Sequence, residues 1–165
     1  MQIRPELSTD EKAISTVISA AFLKAEHSAG NETQIVDALR KAGSLTVSLV
    51  ATENGEVVGH VAFSPVTIDG LSVGWYGLGP VAVVPGCQRM GTGSALIEAG
   101  LNELRARGAD GCVVLGDPAY YSRFGFEADP KIRLAGVPPN YFQRLILGGP
   151  RRTGLVEYHP AFEVP

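Results

Sequence analysis

Residues 78–97, from Leu78 to Ile97, read as an apolar strand, a tight glycine-containing turn and a helix that opens on small hydroxyl residues. A strand that passes straight into a helix aims the first-turn N–H groups at one spot, where the helix dipole adds partial positive charge. Gly91 and Gly93 let the backbone approach a ligand with no side chain in the way. Such a junction suits a phosphate or pyrophosphate. Two nucleotide loops can be tested against it. The P-loop string Gly-x-x-x-x-Gly-Lys-Ser/Thr does not occur. A dinucleotide turn needs Gly or Ala at its third glycine position, where this chain has Leu96.

The flanking sequence supplies an ordered series of strands and helices. Gln2–Arg4 is a short first strand stopped by Pro5. Ser8, Thr9 and Asp10 offer cap oxygens, and Ile14, Val17, Ile18, Ala21 and Phe22 follow at helical spacing, which predicts a helix over about 10–24. Lys24–Gly30 is a polar break. Asn31 can cap a second helix that carries Ile35, Val36 and Leu39 and closes at Gly43. Leu45–Thr52 and Val57–Ile68 are β-rich, joined through Asn54-Gly55, a strong hairpin signal. Asp69-Gly70 turns the chain into Leu71–Val84, which completes an antiparallel meander. After the helix that ends near Gly108, Cys112–Leu115 is a wholly apolar strand, so one parallel, right-handed crossover is expected. Asp117–Arg123 reads as a short helix and Gly125 to about Leu134 as a strand. Tyr141–Leu147 and Leu155–Tyr158 read as a final strand pair, or as a short helix and a strand. The expected fold is one α+β domain over 1–165, with a central six- to seven-stranded mixed sheet and about four helices.

Composition narrows the function classes. A chain of 165 residues, 45% hydrophobic and 19% charged, has the balance of a globular protein with a real core. Its net charge of −3 offers no basic excess for nucleic acid or anionic membrane. Two cysteines, Cys87 and Cys112, are too few for a disulfide framework or a structural zinc site, so no metal and a reducing, cytoplasmic setting are expected. The first residues do not resemble a signal peptide, and no run approaches the roughly 18 apolar residues of a membrane span.

Gln88-Arg89-Met90-Gly91-Thr92-Gly93 resembles Gln/Arg-x-x-Gly-x-Gly/Ala, the pyrophosphate loop of the GNAT N-acetyltransferase superfamily. Val81-Ala82-Val83 looks like the strand whose backbone pairs with the pantetheine arm. Ala119-Tyr120-Tyr121-Ser122-Arg123-Phe124-Gly125-Phe126 is similar to the second family signature, an aromatic pair ahead of Gly-Phe. The two signatures stand in the expected order, and the resemblance spans essentially the whole chain. Leu115–Tyr121 resembles a bacterial branch of the superfamily, the YhbS-type predicted N-acetyltransferases.

The resemblance implies a GNAT-like fold and transfer of an acetyl group from acetyl-CoA to an amine by direct attack in a ternary complex. Coenzyme contacts implied are Val81, Ala82 and Val83 on the strand, Gln88, Arg89, Met90, Gly91, Thr92, Gly93 and Ser94 in the loop, and Asp117 and Tyr120 beyond it. Met90 stands where many members have Lys or Arg, and Asp117 where many have Asn. Tyr121 occupies the family position of the acid that protonates the leaving thiolate; its apolar neighbours also suit a packing role. An amine protonated near neutrality needs a base, and backbone N–H groups at Val81–Val83 suit the oxyanion. Family members often carry the base, a Glu, on the fourth strand. Ser72–Leu78 holds no carboxylate. The candidates left are His60, Glu26, His27, Glu32 or a water chain. Glu26, His27, Glu32 and Trp75 are also candidates for acceptor contact, beside their plain readings as loop, cap and core residues. The acceptor is a small-molecule or peptide amine, and a homodimer is an allowed assembly. The alternative to catalysis is an acyl-CoA-binding or sensing module.

Overall fold

A computed structural model describes residues 1–23, 25 and 28–164. Among them, four α-helices are formed: α1 (Glu11–Phe22), α2 (Glu32–Lys41), α3 (Thr92–Ala106) and α4 (Pro118–Tyr121). Nine strands accompany them: β1 (Gln2–Pro5), β2 (Val47–Glu53), β3 (Glu56–Ile68), β4 (Leu71–Val83), β5 (Gly111–Leu115), β6 (Glu127–Ala128), β7 (Ile132–Arg133), β8 (Phe142–Ile146) and β9 (Gly154–Glu157). The sheet runs β1-β2-β3-β4-β5-β8-β6, with β9 beside β3 and β7 beside β9.

The mixed character of the sheet agrees with the sequence. β1, β2 and β3 pair antiparallel, whereas β4 and β5 pair parallel over Trp75–Gly77 and Gly111–Val113. Both hairpin turns have two successive residues at positive φ, Asn54 and Gly55, then Asp69 and Gly70, the geometry that matches strand twist.

Nine strands replace the expected six or seven. The run from Gly125 to about Leu134 is not one strand but two. Pro130 cannot donate to a ladder, and the Asp129 carboxylate accepts the Lys131 N–H at 3.0 Å, which turns the chain. β6 therefore pairs with β8, and β7 pairs in parallel with β9. β8 and β9 are both strands, with β8 antiparallel to β5 and β9 antiparallel to β3.

The chain divides into two compact units, and β3, β4 and α3 contribute residues to each. In the first unit (1–63, 79–102 and 160–165), α1 and α2 bury Ile14, Val17, Ile18 and Val36 against Val50 and Ala82. On its α3 side, Gly100 lies so close to the Phe63 ring that a β-carbon would not fit. In the second unit (64–78 and 103–159), Val66, Ile68, Trp75, Val113, Ile132, Phe142 and Val156 form the core.

Candidate active site

The first unit carries the strand–turn–helix junction. Gly79 (φ +136°) and Pro80 lie within β4 just before Val81–Val83. Ala82 is buried in the α1/α2 core, while Val81 and Val83 are half-buried. The Val84 N–H anchors the strand end to the Val58 carbonyl at 2.9 Å. A 3-10 turn over Pro85–Cys87 follows, and the Gln88 side-chain amide donates back to the Val83 carbonyl at 2.9 Å. Arg89 takes a left-handed conformation (φ +65°), as does Gly91 (φ +83°). A β-carbon on Gly91 would meet no atom within 4 Å, so conformation rather than crowding calls for glycine there. The helical ladder starts with the Ala95 N–H on the Gly91 carbonyl at 3.0 Å. The N–H groups of Thr92 and Gly93 precede that ladder, at the positive end of α3. Arg89 and Met90 are exposed, Gly93 and Ser94 half-buried, and Thr92 buried.

The second unit carries the second signature. Asp117 caps α4 by accepting the Ala119 N–H at 2.9 Å, with Pro118 at the first helical position. The Arg123 guanidinium lies 4.2 Å from the Tyr120 ring centroid, and its Nε donates to the Tyr120 carbonyl at 2.8 Å. The half-buried Tyr121 meets Tyr120 edge-on at 5.0 Å between centroids and Phe126 at 6.0 Å. Its ring lies against Gly116, where a β-carbon would collide with it. Burial, with a smaller contribution from Tyr120, pushes the Tyr121 phenol up to about 12, so it keeps its proton at neutral pH. Trp75 is 1% exposed and belongs to the core of this unit.

The remaining candidates fall in the first unit. Glu32 opens α2 and accepts the Ser28 hydroxyl at 2.6 Å. Glu26 and His27 lie outside the described residues. His60, on β3, is fully buried. Its Nε2 sits 2.8 Å from Ser48 Oγ on β2, and Ser48 donates to Glu6 Oε1. Arg40 on α2 donates to Glu6 from Nε at 2.9 Å and from a terminal nitrogen at 3.1 Å. Burial lowers the His60 pKa to about 4; Glu6 opposes that shift and Arg40 adds to it. Glu6, Ser48 and Arg40 form one hydrogen-bonded cluster with His60, and sequence reasoning missed them. The one available signal was the hairpin register that brings β2 alongside β3.

A strand that passes through left-handed residues at Arg89 and Gly91 into the start of α3, within a mixed sheet, is an arrangement suited to an anionic coenzyme. The chain belongs to the GNAT acetyltransferase family: the family model described as an acetyltransferase (GNAT) domain matches residues 2–128. Among relatives, it is 39% identical to the uncharacterized N-acetyltransferase YhbS of Escherichia coli over 98% of each chain. It is similar to a solved GNAT family acetyltransferase from Brucella melitensis in complex with acetyl-CoA, at 50% identity and TM-score 0.88, covering 98% of this chain and 97% of that one. The solved Escherichia coli YhbS in complex with CoA is 37% identical at TM-score 0.89, with 99% and 92% covered.

Proposed function

We propose that this acetyltransferase uses acetyl-CoA as its donor and passes the acetyl group to an amine by direct attack in a ternary complex. The observation that carries this is the Gln88–Gly93 turn, with Gly91 at φ +83° and first-turn donors at the start of α3. Two similar solved proteins hold acetyl-CoA and CoA, which supports the same ligand here. Gln88, Arg89, Met90, Gly91, Thr92, Gly93 and Ser94 take the pyrophosphate. Val81, Ala82 and Val83 face the pantetheine and thioester with their backbone groups, and Asp117 and Tyr120 contribute coenzyme contacts. Tyr121 protonates the leaving thiolate. His60 is the base, and Glu26, His27 and Glu32 are the acceptor-side candidates, whereas Trp75 is buried in the core of the second unit. We read 1–165 as one acetyltransferase domain, since the matched residues 2–128 draw on both compact units. Free thiols at Cys87 and Cys112 support a cytoplasmic setting.

Calorimetric titration with acetyl-CoA and with CoA should show binding, and its absence at millimolar ligand would overturn the proposal. With an amine found by thiol release from a panel, Tyr121→Phe should lower kcat about 100-fold while coenzyme affinity holds. Equal turnover would remove Tyr121 from the mechanism. One observation favours a second reading, a binding or sensing module: β4 carries no carboxylate. Coenzyme binding with no thiol release across a broad amine panel would select it.

A further inference from the structure

The Glu6–Ser48–His60 cluster has a direction. A serine hydroxyl carries one hydrogen, and that of Ser48 is given to Glu6 Oε1. Toward His60, 2.8 Å away, the same oxygen can only accept. Nε2 must therefore carry the ring proton, which leaves Nδ1 as a bare acceptor. Nδ1 is buried and has no hydrogen-bond partner among the described residues. An open acceptor in the interior is costly unless something occupies it at some stage. Val50, directly opposite His60 across the β2–β3 pair, packs in the same cluster as Ala82. The imidazole thus lies on the face to which Ala82 of the 81–83 stretch also points.

We propose that His60 takes the acceptor's proton on Nδ1 and passes the proton it already holds on Nε2 to Ser48, whose own proton moves to Glu6. This rests on the acetyl-transfer reading given above. It resolves a conflict in using His60 as a base. An isolated imidazole that gains a proton becomes a cation, and here burial opposes the cation while Arg40 adds repulsion. One proton in and one proton out leaves the ring neutral through the transfer. The amine nitrogen forms the C–N bond and loses its proton to Nδ1. The C–S bond breaks with its electron pair on sulfur. Glu6 ends protonated. Burial alone would raise its pKa, but hydrogen bonds from Arg40 and Ser48 outweigh this and hold it below the usual range. With 16% of its side chain exposed, Glu6 then releases the proton to water. After the product leaves, water takes the Nδ1 proton in step with a solvent proton that returns through Glu6 and Ser48 to Nε2, which restores the starting tautomer. The other charges at this end are Asp37 and Glu11, 3.0 and 3.6 Å from Arg40, and the Arg4–Asp10 pair beside β1. Ser48 and Glu6 are positioning residues; His60 alone touches the acceptor.

The test begins with the protein alone, labelled with 15N-histidine. The His60 ring should show the neutral Nε2–H tautomer, and that proton should exchange with water through the relay. Exchange should slow about tenfold or more in Ser48→Ala and in Glu6→Gln, and recover in Ser48→Thr, which keeps a hydroxyl. A wild-type Nδ1–H tautomer, or exchange unaltered by both Ser48→Ala and Glu6→Gln, overturns the proposal. With any amine the wild type acetylates, Ser48→Ala should cost at least about tenfold in kcat with acetyl-CoA affinity unchanged, and Ser48→Thr should restore it. Unchanged kcat in Ser48→Ala also overturns it. Failure of acetyl-CoA to bind would instead strike the acetyl-transfer reading, so the two failures are distinguishable.

Discussion

At the scale of the residue, burial decides what His60 can be. Its folded pKa is about 4 against an ordinary value of 6.5, so the unfolded chain binds more protons between those values. Stability contributed by the neutral ring is then fully present above about pH 6.5 and is lost as pH falls toward 4, by about 3 kcal/mol in all. Glu6, also lowered from its ordinary 4.5, acts in the same direction but in a more acidic window. Urea unfolding at pH 7, 5.5 and 4.5 should show this loss in the wild type and a flatter dependence in His60→Gln, which keeps a donor for Ser48. Identical slopes would show that folding leaves the His60 pKa at its ordinary value. The residue itself was a visible candidate, because a histidine in an apolar β alternation stands out. Its partners did not stand out. Glu6 lies 42 residues before Ser48 and 34 before Arg40 in bonding distance terms that only strand register and helix packing create.

At the scale of the element, what was legible was local. The β4–turn–α3 junction and the Asn54-Gly55 and Asp69-Gly70 hairpins are written in neighbouring residues whose backbone preferences agree with their use. The segment 125–134 failed as a single strand even though Pro130 was in view. The contact that fixes the turn there, Asp129 to Arg151 at 2.7 Å, comes from 22 residues away. The junction also yields a prediction. Gly91 holds φ +83° in open space, so alanine there meets strain but no clash. Gly91→Ala should cost about 1 kcal/mol of stability and weaken CoA binding about tenfold by turning the first donors of α3 off the pyrophosphate. Calorimetry with CoA reads the second effect, and an unaltered affinity would place the pyrophosphate elsewhere.

At the scale of the whole molecule, the family match ends at residue 128, but the fold does not. β8 covers the full length of β5, Gly111–Leu115 against Phe142–Ile146, and β9 pairs with Thr67–Ile68 of β3. β5 is buried over Gly111–Val114, so without β8 it would become an exposed apolar edge, a template for aggregation. The last residues matter to the first unit in the same way. Ala161, in the 3-10 turn Pro160–Glu163, packs with Ile35 and Leu39 of α2, alongside Phe162 and Val164. The Asn31 side chain, just ahead of α2, donates to the Val164 carbonyl at 2.9 Å. Removing residues 160–165 uncovers that face of α2, at a cost of about 2 kcal/mol from lost apolar burial. For a chain of this size, thermal unfolding should then fall by about 5 °C. Acetyl-CoA titration of the truncated protein should still show binding, because none of the proposed coenzyme contacts is removed. A Tm that does not move would mean that the C-terminal turn adds nothing to α2, and that the apolar contact with Leu39 is incidental to the stability of the first unit.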